Sequence, residues 1–122
     1  MIIIMNFTTI ERHFINNIDT SENFNTDIAK ILYDINVAAK LIRQQVIRAG
    51  LSDSLSGPSG NVNASGEDSQ ALDMYANDII KDVLSSHRRF SFMGSEEEAD
   101  IYKTETYETS DYVILFDPLD GS

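Results

Sequence analysis

Apolar residues recur along this chain at helical spacing. Ile28, Ile31, Leu32, Ile35, Ala39, Ile42 and Val46 succeed one another at steps that place them on one face of a long helix. Thr26 stands ahead of them as an N-cap, and Asp27 puts a negative charge in the first turn, where the helix dipole favours it. Arg43 and Arg48 suit the other end, and Gly50 reads as the C′ stop. A second helix is predicted over 68–86, with Leu72, Tyr75, Ala76, Ile79 and Val83 on one face and Asp73 beside it. Between the two, 51–66 (LSDSLSGPSGNVNASG) reads as a loop rich in Ser, Gly and Asn. Residues 1–25 carry no firm pattern.

The period then changes. The alternation Phe90-Ser91-Phe92-Met93 predicts a short strand ending at Gly94, and 99–111 reads as an exposed hairpin or strand with polar turns. Tyr112-Val113-Ile114-Leu115-Phe116 is a continuous apolar run, which predicts a strand buried on both faces and ended by Pro118. Helices alternating with strands indicate an α/β fold with layered helices and sheet.

Composition narrows the class. The chain has 122 residues, 42% hydrophobic, enough for the core of one domain, and no cysteine for a disulfide or thiolate metal site. Its net charge of −11 is uneven: 1–61 hold six acids and five bases, whereas 62–122 hold fourteen acids and four bases. Such a chain repels nucleic acid and anionic membranes and attracts cations, although a solvated acidic face has the same composition. MIIIM at the start is too short for a signal-peptide core, and no stretch reaches the roughly 20 apolar residues of a membrane span, so a cytoplasmic protein is expected.

Two stretches could carry chemistry, and both follow a predicted strand: Ser95-Glu96-Glu97-Glu98 and Asp117-Pro118-Leu119-Asp120-Gly121-Ser122. Ligands of α/β sheets bind beyond the carboxyl ends of strands. Clustered carboxylates there suit Mg²⁺ or Mn²⁺, whereas zinc prefers His and Cys, and His13 and His87 stand away from both stretches. Asp117 and Asp120 can face one ion around the Pro-containing turn; Gly121 and Ser122 offer the amide and hydroxyl groups that hold a phosphate. That combination is a layout for metal-assisted phosphoryl hydrolysis, and equally for a helix cap beside solvated glutamates.

FDPLDGS (116–122) resembles the signature of the fructose-1,6-bisphosphatase family, among the Mg²⁺-dependent sugar and inositol phosphatases. GSEEEA (94–99), GEDSQALDMYAND (66–78) and AAKLIRQQVIRAGL (38–51) resemble further family stretches in the same order, with bacterial members most similar. The resemblance covers roughly 26–122 and implies that 1–122 is the N-terminal portion of the family's αβαβα fold. It implies Glu96, Asp117, Asp120 and the Leu119 carbonyl as metal ligands for two or three Mg²⁺ (or Mn²⁺) ions. Asp120, Gly121 and Ser122 would contact the phosphate, Glu97 and Asp73 would orient and deprotonate the attacking water, and Glu67 would act from the 51–67 loop. Glu98 receives no role and is expected to be solvated.

The implied reaction is hydrolysis of the 1-phosphate of fructose 1,6-bisphosphate, a gluconeogenic step, by a parent enzyme that is a homotetramer. The chain stops inside the signature and by itself is expected to be inactive. Two departures concern the family's AMP pocket: Asn25-Thr26-Asp27-Ile28-Ala29 replaces its usual Thr-Gly-Glu-Leu-Thr, and Asp111-Tyr112 replaces its Lys-Tyr pair. Lost hydroxyl and lysine contacts argue against AMP inhibition. The alternatives are a sibling phosphatase acting on sedoheptulose bisphosphate, inositol phosphate or a phosphoadenosine nucleotide, and a non-catalytic acidic module that binds cations.

Overall fold

A computed structural model describes residues 8–18, 26–55 and 62–119, with the backbone alone at 18, 51–55 and 62–68. Three helices come first: α1 (Ile10–Ile18), α2 (Thr26–Leu55) and α3 (Val62–Ser86). Three strands follow: β1 (Phe90–Ser95), β2 (Tyr102–Lys103) and β3 (Tyr112–Phe116). The fold is α/β. A helix layer packs on a small mixed sheet of order β2-β1-β3, in which β1 runs antiparallel to β2 and parallel to β3.

The helix α1 is absent from the pattern of spacing. Thr9 starts it: its Oγ1 accepts from the Arg12 amide at 3.1 Å, and its carbonyl accepts from the His13 amide at 2.9 Å. Gly50 does not end α2, which continues to Leu55, because its φ lies outside the left-handed range that a C′ glycine adopts. Likewise α3 begins at Val62 rather than Asp68, so the long connection predicted over 51–66 is much shorter. Its actual end is sharp: Arg88 takes a φ of 54° and its amide bonds to the Ser85 carbonyl at 3.1 Å.

The face α2 turns inward is not the one its apolar residues suggest. Ile31, Asp34, Ala38 and Ile42 are buried, while Ile28, Leu32, Ile35 and Val46 are exposed. The stripe runs through Asp34 because its carboxylate has nitrogen partners: Oδ2 lies 3.2 Å from Arg89 Nε and 3.0 Å from His87 Nδ1. This contact ties α2 to the connection between α3 and β1. From α3, Ala76, Asn77 and Leu84 are buried. The core joins Ile31 and Leu84 to Phe90 and Met93, with Ile80, Tyr112, Ile114 and Phe116 packed against it.

A simple alternation would put Phe90 and Phe92 on one face of β1, yet Phe90 and Met93 are the core pair and Phe92 is exposed. The register against β3 slips between Phe90 and Phe92, a bulge that admits Ser91 as an extra residue. Ser91 uses the place: its hydroxyl donates to the Tyr112 carbonyl at 2.9 Å. β1 also runs through Gly94, where a Cβ would stand 2.7 Å from Leu115 Cδ2. The glycine accommodates a close neighbour there instead of ending the strand.

β3 is not buried on both faces. Tyr112, Ile114 and Phe116 lean on the helices, whereas Val113 and Leu115 are 58% and 75% exposed. The reason is the layering: helices cover one side of the sheet, and β3 is its edge among the described residues. The polar stretch after β1 does form an exposed short strand and turns. It is anchored by Thr104, whose amide donates to the Ser91 carbonyl at 3.1 Å and whose buried hydroxyl lies against the carbonyls of Phe90 and Ser91.

Candidate active site

Parallel pairing of β1 with β3 aligns Ser95 with Phe116, so the chain segments that leave the two strands leave the same end of the sheet. Glu96 and Glu97 occupy the turn after β1, and Asp117 is the first residue after β3. The Glu96 amide donates to the Phe116 carbonyl at 3.1 Å, which extends the ladder to the first acidic residue. Two stretches separated in sequence thereby become one acidic surface.

The electrostatics record how close they are. The Glu96 carboxyl is pushed above its ordinary value, first by the charge of Asp117 and then by a hydrogen bond with it, with desolvation, Glu97 and Asp73 adding smaller contributions. Asp73 faces this surface from α3, where it is half-buried, as is Glu97. Leu119 lies two residues beyond Asp117, past the buried Pro118. Asp120, Gly121 and Ser122 fall outside the described residues. Glu67 lies within α3 rather than in a loop, and its side chain is outside the described ones.

Three carboxylates, Asp117, Glu97 and Asp73, thus act on Glu96. Among the described residues no three of these four close on a single point as a formed metal cage would. Glu96 and Asp117 make a mutually repelling pair of hard oxygen donors, and that pair fits a divalent cation of the Mg²⁺ type. A cation between them would relieve the repulsion.

Glu98 is only partly solvated and has protein partners. Lys81 Nζ lies 2.7 Å from its Oε1 and 2.9 Å from its Oε2, and Asn77 Nδ2 donates to Oε1 at 2.8 Å. These bonds, Lys81 first, hold its carboxyl below the ordinary value. The signal was present in the sequence. Asp73, Asn77 and Lys81 follow at four-residue steps on one face of a helix, facing an acidic turn.

Away from this surface, Asp27 and Asp111-Tyr112 meet across a cavity of about 210 Å³ that His87, Arg88 and Arg89 also line. Among the described residues no helix is long and apolar enough to cross a membrane.

Residues 8–122 match the family model for the N-terminal domain of fructose-1,6-bisphosphatase. The class 1 fructose-1,6-bisphosphatase of Chlorobaculum tepidum is 44% identical over 115 residues, which cover 94% of this chain and 34% of that protein. That of Chlorobium phaeobacteroides strain BS1 is 45% identical over 114 residues, 93% of this chain and 34% of its own length. The solved structure of Leishmania major fructose-1,6-bisphosphatase in its holo form superposes with a TM-score of 0.64 at 28% identity, covering 93% of this chain and 32% of that one. The chain therefore spans about a third of the length of the relatives it matches. With that match running over nearly the whole of this chain, the chain belongs to the fructose-1,6-bisphosphatase family.

Proposed function

We propose that this chain supplies the metal-binding and water-activating carboxylates of a Mg²⁺-dependent phosphatase that removes the 1-phosphate of fructose 1,6-bisphosphate. The observation that carries the reading is the Glu96–Asp117 pair at the shared end of two parallel strands, beside the FDPLDGS segment. The products are fructose 6-phosphate and inorganic phosphate. In the whole enzyme, read as a cytoplasmic homotetramer, this is a gluconeogenic step.

Glu96 and Asp117, with the Leu119 carbonyl and Asp120, hold two or three Mg²⁺ (or Mn²⁺) ions. Bound there, the metal offsets phosphate charge and lowers the pKa of the attacking water. Glu97 takes the proton of that water, and Asp73, across from it on α3, keeps it oriented. Asp120, Gly121 and Ser122 bind the phosphate through their amide and hydroxyl groups. Glu67, at the start of α3, acts beside the leaving group.

The test uses the longest native product of this reading frame. Mg²⁺-dependent phosphate release is compared for fructose 1,6-bisphosphate, inositol monophosphate and phosphoadenosine phosphate. Preference for the first supports the reading. Preference for another moves the substrate assignment to a sibling phosphatase, and release from none overturns it.

A further inference from the structure

Asn77 is fully buried on α3, and its amide nitrogen is committed to Glu98 while its Oδ1 has no partner among the described residues. An unsatisfied buried acceptor costs on the order of 1–3 kcal/mol, a penalty an apolar side chain would not incur. Stability alone does not account for an asparagine at this position. Its one bond, together with Lys81, fixes Glu98 on two sides, and Lys81 also lies over the Tyr102 ring at 5.1 Å.

The turn that carries Glu96 and Glu97 is consequently pinned at both ends. Its first residue is bonded to β3 through the Phe116 carbonyl at 3.1 Å, and its last is bonded to α3 through Lys81 and Asn77. Glu97 lies between the pins, its amide 3.2 Å from Ser95 Oγ. The face of α3 that holds Glu98 is the face that presents Asp73 one turn earlier. Holding the turn to this face therefore sets the spacing of Asp73 from Glu96 and Glu97.

We propose that Asn77, Lys81 and Glu98 are positioning residues: a clamp that fixes the Glu96–Glu97 turn against α3 so that the carboxylates receive a divalent cation in a set geometry. This rests on the metal reading of Glu96 and Asp117. Partners lying behind metal ligands typically alter metal affinity about 10–100-fold when removed. Lys81 and Glu98 reach the site only through the backbone of that turn.

The test uses the 122-residue chain and Mn²⁺ alone as probe. Uptake is followed by electron paramagnetic resonance of the free ion, and amide exchange by mass spectrometry. Glu98→Gln and Lys81→Met should each weaken Mn²⁺ uptake about tenfold or more and speed exchange of the Glu96 and Glu98 amides, while the far-UV spectrum is kept. The exchanged pair, Lys81→Glu with Glu98→Lys, should recover uptake. A lysine at 98 can donate to the new glutamate and to the unpartnered Asn77 Oδ1.

Wild-type uptake in both single variants overturns the clamp, as does a folded exchanged pair that fails to recover uptake where the single variants have lost it. Should Glu98→Gln fail to fold, Lys81→Met and the exchanged pair decide by the same criteria. Should the wild-type chain take up no Mn²⁺, the metal reading falls, and with it the clamp's role. Mn²⁺ uptake that responds to the clamp, in a protein whose longest product releases no phosphate, keeps the clamp and removes the phosphatase.

Discussion

Arg89 donates from Nε to the carboxylate of Asp34 across 55 positions of sequence, at 3.2 Å, and Asp34 is 5% exposed. This is the charged contact that lets a polar residue sit in the middle of the buried stripe of α2. Removing the cation leaves a buried carboxylate with only the exposed His87 imidazole beside it. Arg89→Met is expected to cost about 3 kcal/mol, in line with breaking a buried ion pair from one side. Asp34→Leu combined with Arg89→Met should cost less than the single change. Urea unfolding of the single and double variants beside the wild type checks this; a single-variant cost below about 1 kcal/mol would mean that Arg89 does not hold Asp34.

The proton acceptor and the metal ligands separate kinetically. In the intact enzyme, Glu97→Gln should lower kcat about 100-fold or more with little change in metal affinity. Asp120→Ala should abolish turnover by removing a metal ligand and a phosphate contact together. Steady-state rates over a Mg²⁺ titration distinguish the two. Equal loss of kcat and metal affinity in Glu97→Gln would reclassify Glu97 as a ligand, and near-wild-type turnover in Asp120→Ala would remove Asp120 from the site.

Among the described residues β3 presents an open edge and an apolar outer face, with Leu115 75% exposed. An apolar groove of about 580 Å³ between α2 and β3 adjoins it, lined by Ile42, Val46, Ile114 and Leu115 among others. Exposed edge strands of this kind pair with further copies. The 122-residue chain should therefore self-associate, and Leu115→Lys should shift it toward monomer in sedimentation velocity. A chain that stays monomeric with a sharp cooperative melt contradicts this.

Asp27 and Asp111 line one cavity with His87, Arg88 and Arg89, and by the family resemblance Asp111 stands where a lysine is expected. AMP added to the intact enzyme should leave fructose 1,6-bisphosphate hydrolysis unchanged, and Asp111→Lys should introduce some inhibition. Phosphate-release assays over an AMP titration check both; strong inhibition of the wild type would show that the remaining arginines suffice.

The two acidic stretches of the candidate site were legible as segments following strands because each is local in sequence: an acidic turn after one strand and an Asp-Pro turn after another. What spacing alone could not supply was neighbourhood. Asp34 is skipped when apolar positions are counted, so the inward face of α2 is drawn too far round, and its contacts with Arg89 and His87 explain the burial. The bulge at Ser91 moves Met93 inward, which no strict alternation allows. Gly50 is a stop by residue type, but its backbone remains helical. Glu98 looked like one more solvated acid until Lys81 and Asn77, remote in sequence, came into contact with it. The run 112–116 is apolar enough for two covered faces, yet the helices here cover one.

The placement of Glu96 and Asp117 just after different strands has a thermodynamic consequence. Neither residue can share an ion with the other until β1 and β3 have paired in register, so an ion that bridges them binds the ordered sheet and not the open chain. Such an ion acts as a folding ligand whose contribution rises with the logarithm of its concentration. Divalent cation should therefore raise the melting temperature of the chain, and Asp117→Asn should erase that dependence while the sheet itself remains.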